Sequence, residues 1–225
     1  DGRLPREAPA PLPGGVSVLA LFSDVHGNEQ ALGRVLADAE AAGATRWVCL
    51  GDVAAGGPEP AACLERLHAL GGPMVLGNAD AELLGPAPAA SQDPTTRPFH
   101  EIGAWNRTKL TAAHRAFLES FSPTVALALG GGAELLCCHG SPRSYDERLD
   151  AWTPEAAVSA WLGGRRADVL ACGHTHEPLL RRLGARVLVN PGSVGMPHLA
   201  GRNPLWAEYA VVEWGTGGAA LTLRR

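Results

Sequence analysis

The chain has 225 residues, of which 46% are hydrophobic and 19% are charged. This is the balance of a folded globular protein, and the length allows one substantial core but not two large ones. A formal net charge of -4 gives no reason to expect a broad phosphate-binding surface for extended nucleic acid. We expect a flexible, proline-rich leader over residues 1–15 and a single domain over residues 16–225.

No apolar run in the sequence reaches the length that a membrane span needs. The leader lacks the charged-then-apolar plan of a signal peptide. The five cysteines show no Cys-x-x-Cys spacing, and four of them lie in apolar, strand-like runs. This pattern is typical of buried thiols in a reducing compartment and predicts a cytoplasmic protein, with a secretion signal removed earlier as the open alternative.

The first apolar run, residues 16–22, predicts a buried strand. It is followed at once by Asp24 and His26, whose spacing of two presents both side chains on one side of an extended backbone. Asn28 is a suitable N-cap for a helix predicted over residues 29–42. The strand therefore ends in a carboxylate and an imidazole, a pair that suits a divalent metal.

The same order, a strand and then a polar residue, recurs twice in the next part of the chain. A strand predicted over residues 46–50 is followed by Gly51-Asp52, and a strand predicted over residues 73–76 is followed by Gly77-Asn78. A helix is predicted between them over residues 59–70, and a strand, a helix and a strand favour a right-handed parallel crossover. Because parallel strands present the same end at one edge of a sheet, we expect Asp52 to lie near Asp24.

A connection over residues 85–98 leads to one or two amphipathic helices predicted over residues 99–121. The side chains expected to face the core are Trp105, Leu110, Phe117 and Leu118. This segment carries no obvious chemistry, and we expect it to form one wall of a substrate cleft. Its His100 and His114 are interpreted as surface residues.

The second half of the chain has the residue pattern of a β-rich fold. A glycine-centred hairpin is predicted over residues 124–138 and is followed by His139. A strand is predicted over residues 168–172, and His174 and His176 follow it. The remaining predicted elements are a helix over residues 153–162, a hairpin over residues 179–189, and strands over residues 207–214 and 219–223.

Seven polar residues thus follow the ends of predicted strands: Asp24, His26, Asp52, Asn78, His139, His174 and His176. They offer carboxylate oxygen, amide oxygen and imidazole nitrogen, a mixture that suits Mn, Fe or Zn better than Ca. Seven ligands are too many for one catalytic ion with open positions, whereas two ions that share a carboxylate can use them all. The sequence therefore predicts a two-metal site.

Five motifs in this order resemble the calcineurin-like metallophosphoesterase superfamily: Asp-x-His-Gly-Asn, Gly-Asp, Gly-Asn, His-Gly and Gly-His-Thr-His, spread over residues 19–194. Each motif alone is weak, but five in order, each after an apolar strand, are specific. The turn at residues 190–195 is similar to that of the small single-domain branch that includes bacterial phosphodiesterases. Together with the βαβ start and the β-rich second half, the resemblance implies an α/β fold, a four-layer α/β/β/α sandwich of two mixed β-sheets flanked by helices.

The resemblance also implies a role for each ligand. A first metal would be held by Asp24, His26 and His176, a second by Asn78, His139 and His174, and Asp52 would bridge the two. Manganese is the expected ion, with Fe, Zn or Ni as alternatives. A hydroxide shared by the two cations would attack phosphorus, with Asp52, His139 and Asn78 at the catalytic centre. The implied function is hydrolysis of small phosphodiesters or activated phosphoesters.

One position departs from the family pattern. Many members have a histidine directly after the asparagine of the third motif, thought to protonate the leaving group, and this chain has Ala79. The departure predicts a preference for esters with good leaving groups, because these need a general acid least. His198 is a candidate replacement, although a surface role is favoured. The candidate substrate contacts are Asn28, Arg143 and His198.

Two alternatives stay open on the sequence alone. Within the superfamily, the runner-up is a protein phosphatase or a dinucleoside polyphosphate hydrolase. In another class, a relative of this fold serves as a scaffold subunit of the retromer coat, so the architecture can also be a non-catalytic metal-binding scaffold. The complete ligand set favours the enzyme. The expected partner is a small phosphorylated substrate, and neither extended nucleic acid nor a membrane is expected.

Overall fold

The computed structural model describes residues 17–86, 92–198, 205–215 and 218–225. The predicted leader, residues 1–15, lies outside the described residues, and the single-domain boundary stays a prediction. The strands are β1 (Ser17–Phe22), β2 (Arg46–Cys49), β3 (Thr124–Ala128), β4 (Glu134–Cys138), β5 (Val169–Ala171), β6 (Leu179–Leu183), β7 (Arg186–Asn190), β8 (Tyr209–Gly215) and β9 (Gly218–Arg224). The helices are α1 (Glu29–Ala41), α2 (Pro60–Leu70), α3 (Asn78–Leu84), α4 (Arg97–Lys109), α5 (Ala112–Glu119) and α6 (Glu155–Leu162).

These strands form two mixed sheets. The first has the order β2-β1-β8-β9, in which β1 is parallel to β2 and antiparallel to β8. The second has the order β3-β4-β5-β7-β6, in which three parallel strands lie between two antiparallel edge strands. The parallel strands β1, β2, β4 and β5 end next to residues that the sequence nominates as ligands, and the parallel strand β7 ends at Asn190.

Successive side chains of a strand point to opposite faces of its sheet, and both faces of each sheet carry apolar side chains. Leu19 of β1 and Leu135 of β4 belong to a buried cluster between the two sheets. Phe22 points the other way and packs with residues of α1, α2, α3 and α5. Leu136 packs with residues of α6 on the far side of the second sheet. The layers are therefore helix, sheet, sheet and helix, which confirms the predicted four-layer sandwich.

The prediction of a full strand over residues 73–76 is wrong. Met74 and Val75 make single parallel bridges to Cys49 and Ser122 and do not form a full ladder. The next residues, Asn78–Leu84, form helix α3. The sequence did not predict this helix because its 7 residues are too few to display a helical period.

The prediction that Trp105 of α4 faces the core is also wrong. Its side chain is 43% exposed, and the buried position is the next residue, Asn106. The Asn106 side chain accepts a hydrogen bond from the Gly56 N–H at 3.0 Å and donates one to the Gly57 carbonyl at 2.8 Å. Buried polar contacts of this kind, rather than aromatic packing, hold the middle of α4 on the protein.

All five cysteines are buried and carry free thiols, as the sequence predicts. Burial raises the pKa of Cys172 to about 12, so its thiolate form is scarce near neutral pH. Within the described ranges, no helix combines the length and the apolar character that crossing a bilayer requires.

We expect Leu135→Ala to lower the free energy of unfolding by about 2 to 5 kcal/mol, because it leaves a cavity between the sheets. Leu135 is fully buried there, whereas Leu180 on β6 is 47% exposed. Leu180→Ala is therefore the control, with an expected loss within about 0.5 kcal/mol. Urea unfolding followed by circular dichroism measures both values. Equal losses at the two positions would contradict the placement of a core between the sheets.

Candidate metal centre

The seven ligand-type residues predicted from the sequence converge on one cluster, where strands β1, β2, β4 and β5 end. Five of them have a left-handed backbone, with φ of 57° at Asp24, 46° at His26, 56° at Asp52, 67° at His174 and 58° at His176. Among the described residues, no other non-glycine residue has a positive φ. Such conformations cost of order 1 to 3 kcal/mol each and persist only where the surroundings enforce them. The backbone strain is thus concentrated on the predicted ligands.

Hydrogen bonds between neighbouring loops enforce this backbone. The Asp24 N–H donates to the Gly51 carbonyl at 3.0 Å, and the His26 N–H donates to the Asp52 carbonyl at 2.9 Å. The loops approach so closely that a Cβ at Gly77 would lie 2.0 Å from Asp52 Oδ1. The glycine in the Gly-Asn motif is therefore required for close packing of one ligand-bearing segment on another.

The first group of ligand atoms surrounds a buried carboxylate. Asp24 Oδ1 lies 3.2 Å from His176 Nε2 and 3.9 Å from His26 Nε2. The other oxygen, Oδ2, accepts a hydrogen bond from the His174 N–H at 3.1 Å. Oδ1 itself is buried and has no hydrogen-bond partner of acceptable geometry, although His176 Nε2 is within contact distance. This oxygen is therefore available to a cation.

The second group joins the first through Asp52. Its Oδ2 lies 3.8 Å from His26 Nε2 and 3.3 Å from His139 Nε2. The Asn78 side-chain oxygen lies 3.0 Å from His139 Nε2 and 2.9 Å from His174 Nδ1. Asp52 thus lies between a group that contains His26 and a group that contains His139.

Backbone carbonyls fix the protonation of three of the imidazoles. The Nδ1 atoms of His26, His139 and His176 lie 2.7, 2.8 and 2.7 Å from the carbonyl oxygens of Ala55, Leu50 and Met196. Because a carbonyl only accepts hydrogen bonds, each Nδ1 carries the proton. In the neutral ring, each Nε2 then presents a lone pair to the cluster.

The donor atoms fit divalent metals. The Nε2 atoms of His26 and His176 lie only 3.1 Å apart, so two lone pairs face each other beside the unpartnered oxygen of Asp24. These atoms repel one another unless positive charge lies among them. In two sets of three residues, one ligand atom from each residue lies within 4.8 Å of the others: Asp24 with His26 and His176, and Asp24 with Asp52 and His139. Mixed nitrogen and oxygen donors of this kind suit borderline divalent cations.

The electrostatics of the cluster also favour positive charge. Burial alone would lower the pKa of His139, yet the adjacent Asp52 carboxylate raises it to about 10. The pKa of Asp52 is lowered against the effect of its burial, because His139 and His26 lie beside it. The carboxylates therefore stay ionised and attract either protons on the imidazoles or a cation.

A carboxylate outside the predicted set supports the loop that follows β2. Asp80 accepts hydrogen bonds from the Val53 N–H at 2.9 and 3.1 Å and from the Ala54 N–H at 3.2 Å. Its burial and the nearby Asp52 raise its pKa to about 7. Because Val53 directly follows Asp52, Asp80 positions the residue expected to bridge the metals. In the sequence, this supporting role was indicated only by the presence of a carboxylate two residues after Asn78.

Two further side chains that received no role from the sequence support the same cluster. Asn190 donates to the Gly173 carbonyl at 2.8 Å and to the Thr175 hydroxyl at 3.0 Å, which holds the loop after β5. Ser193 donates from its hydroxyl to the Asp24 carbonyl at 2.8 Å. Both residues lie in the turn at residues 190–195, so the turn itself was the only signal.

The three candidate substrate contacts have different surroundings. Asn28 uses its side chain to cap α1, accepting a hydrogen bond from a backbone N–H of the first turn. Arg143 is exposed, and its Nε donates to the Glu147 carboxylate at 2.9 Å. His198 is exposed, and its backbone N–H donates to the carbonyl of the ligand-type residue His176 at 3.3 Å. Asn28 and His198 therefore adjoin the cluster, whereas the guanidinium of Arg143 is bound to an acidic side chain.

Comparison with known proteins identifies the family. The model of the calcineurin-like phosphoesterase superfamily domain matches residues 18–217. The chain belongs to this superfamily. An uncharacterized protein of Methanocaldococcus jannaschii is 30% identical, over 80% of this chain and 77% of that protein. The superfamily inferred from the five motifs is confirmed, and membership implies divalent metal ions.

Two solved structures of named phosphoesterases resemble this calcineurin-like domain. A metallophosphoesterase of Sphaerobacter thermophilus has 25% identity and a TM-score of 0.71, over 94% of this chain and 89% of that one. YfcE, a phosphoesterase from E. coli, has 28% identity and a TM-score of 0.53, over 87% of this chain and 90% of that one. The α/β fold is thus shared across nearly the whole length of each protein.

We expect Asp80→Ala to lower the free energy of unfolding by roughly 2 to 4 kcal/mol, because the Val53 and Ala54 N–H groups lose their acceptor in a buried place. Asp80→Asn keeps one acceptor oxygen and should lose less. Asp146→Asn, at an exposed position, is the control, and urea denaturation measures all three. If Asp80→Ala proved as stable as the control, Asp80 would not position the loop after β2.

Proposed function

We propose that this protein is a metal-dependent phosphoesterase that hydrolyses phosphodiesters or activated phosphoesters with two divalent cations, manganese above the alternatives. The observation that carries the proposal is the 3.1 Å approach of the His26 and His176 Nε2 atoms beside a buried, unpartnered oxygen of Asp24. Facing acceptors in a partly buried place are unfavourable without positive charge between them. Membership of the calcineurin-like superfamily supports the same reading.

The side chains divide between the two proposed cations. One would be held by Asp24, His26 and His176, the other by Asn78, His139 and His174, with Asp52 shared. Bound there, divalent cations would neutralise phosphoryl oxygens and lower the pKa of a water molecule. Asp52 suits the shared position because the Ala79 N–H holds its Oδ1 at 2.8 Å, which leaves Oδ2 directed between His26 and His139.

The charge of the cluster makes the proposed activity depend on metal. Asp24 and Asp52 are buried carboxylates, and together they would repel the negative charge of a phosphoester. The ligands Asn78, His174 and His176 are only partly buried, so a substrate would approach from their side. Cations at the cluster would turn this repulsion into attraction.

We expect chelation to abolish hydrolysis of bis(para-nitrophenyl) phosphate and added Mn²⁺ to restore it. Asp52→Asn should lower kcat/KM in Mn²⁺ by at least about 100-fold, the scale on which loss of one electrostatic group acts. Asp146→Asn, which removes an exposed carboxylate, is the matched control and should keep its activity. Undiminished hydrolysis by the chelated protein would contradict the proposal.

We also expect a steep dependence of rate on leaving-group acidity, because Ala79 offers no proton to the departing oxygen. A series of substituted phenyl diesters varies the acidity while keeping the ring. Ala79→His should flatten the dependence, because a general acid is worth most, about 10²- to 10⁴-fold, for the poorest leaving groups. A flat dependence in the unmodified protein would count against this part of the proposal.

A substrate panel separates the proposed activity from its alternatives. We expect a higher kcat/KM on a para-nitrophenyl diester than on a phosphoserine peptide or on diadenosine tetraphosphate. The reverse order would favour a protein phosphatase or a dinucleoside polyphosphate hydrolase. Metal bound without turnover of any of the three would favour a non-catalytic scaffold.

A further inference from the structure

A small cavity of about 170 Å³ lies between α3 and α4 and adjoins the metal cluster. Two of its described lining residues are one hydrogen bond away from a ligand side chain. The Ala79 N–H donates to Asp52 Oδ1 at 2.8 Å, and the Ala55 carbonyl accepts from His26 Nδ1 at 2.7 Å. The cavity therefore shares part of its wall with the supports of the cluster.

The cavity exists because two positions that face it carry little or no side chain. Ala79 contributes only a methyl group, and Gly103 of α4 contributes none. A Cβ built at Gly103 would have no heavy atom within 4 Å. On the side of α4, position 103 therefore leaves the space unfilled.

Helix α4 is fixed against the rest of the protein, so the cavity is preformed. Asn106 bonds to the backbone of Gly56 and Gly57, in the loop that follows β2. The guanidinium of Arg107 donates to the Leu83 carbonyl at 2.8 Å and to the Gly85 carbonyl at 2.7 Å. These bonds tie α4 to the loop after β2 and to the end of α3, the two segments that form the opposite wall.

The size and lining of the cavity suit one aromatic ring. An apolar cavity of about 150 Å³ in another protein holds benzene. Here Ala55, Ala79 and Leu83 supply apolar surface, and Phe99 lines the cavity with a side chain that is 66% exposed. An entering ring would cover the face of Phe99, and such aromatic pairs are favourable beyond their buried area. The rest of the described wall is polar and comes from Glu82, Thr96, His100 and Arg107.

A larger groove of about 930 Å³ runs along α1 from Asn28 to Asp38. None of its described lining residues hydrogen-bonds to the side chain of a predicted ligand, whereas Ala55 and Ala79 of the smaller cavity both do. The larger groove reaches the cluster only through backbone, since its Gly195 N–H donates to the Asp24 carbonyl at 3.0 Å, whereas the smaller cavity is bonded to ligand side chains.

We infer that this cavity takes the aromatic substituent of a phosphoester whose phosphorus lies at the adjacent cluster. The inference rests on the proposed function and narrows its substrate class to esters that carry a single six-membered aromatic ring. Ala79 then has two effects: it provides no proton, and it leaves room for a ring that departs as a stable phenolate.

The test compares two leaving groups of similar acidity but different shape, phenyl and hexafluoroisopropyl, each as the methyl phosphodiester in Mn²⁺. Gly103→Leu fills the cavity from α4 and replaces a poor helix former with a good one. Ala104→Leu places the same side chain at the next, exposed position of α4 and is the matched control. Far-UV circular dichroism and melting temperature verify that both variants fold.

We expect the ratio of kcat/KM for the phenyl ester to that for the hexafluoroisopropyl ester to fall about tenfold in Gly103→Leu, the size of effect that burial of part of a ring produces. The ratio should not change in Ala104→Leu. An unchanged ratio in Gly103→Leu would overturn the inference.

A binding measurement tests whether the cavity holds an aromatic ring, independently of any hydrolysis. The ¹⁹F signal of para-fluorophenol should broaden on addition of the protein, and Gly103→Leu should abolish the broadening while Ala104→Leu keeps it. Retained broadening in Gly103→Leu overturns the inference. If the metal-loaded protein hydrolyses neither ester, the proposed function fails, and the ¹⁹F result still shows whether the cavity binds an aromatic ring.

Discussion

The structure depends above all on hydrogen bonds between the loops at the strand ends. They join the two sheets at the cluster, since the Val194 and Gly195 N–H groups, which follow β7, donate to the Ser23 and Asp24 carbonyls, which follow β1, at 3.0 Å each. These bonds hold five ligand-type residues in a left-handed backbone that such residues adopt at a cost. The apolar core between the sheets and the two helix-facing cores supply the stability that offsets this strain.

Orientation of the imidazoles follows from the same loops. His26, His139 and His176 each direct Nδ1 at a backbone carbonyl, so their Nε2 lone pairs point at one small volume. The cluster is therefore arranged for cations before any cation binds, and little reorganisation is needed on binding. Next to this arrangement, Ala79 has no proton to donate from its side chain, and it also lines the cavity beside α4.

The sequence predicted the parts of the structure that have a strong local pattern. Apolar runs that are followed by a ligand-type residue identified β1, β2 and β5, because parallel strands present their ends at one edge of a sheet. Asn78 joins the cluster from the start of α3 rather than from the end of a strand. Asp80 could not be assigned, since its partners are backbone N–H groups 26 and 27 residues away in the chain. Asn106 was missed in favour of Trp105, because hydropathy ranks an aromatic side chain above an amide whose hydrogen bonds arise only in the folded protein.

Anomalous X-ray diffraction from crystals grown with Mn²⁺ tests the central claim most directly. We expect two anomalous peaks in each chain, about 3.5 to 4 Å apart, with the Asp52 carboxylate next to both. A single peak, or two peaks that do not share Asp52, would contradict it.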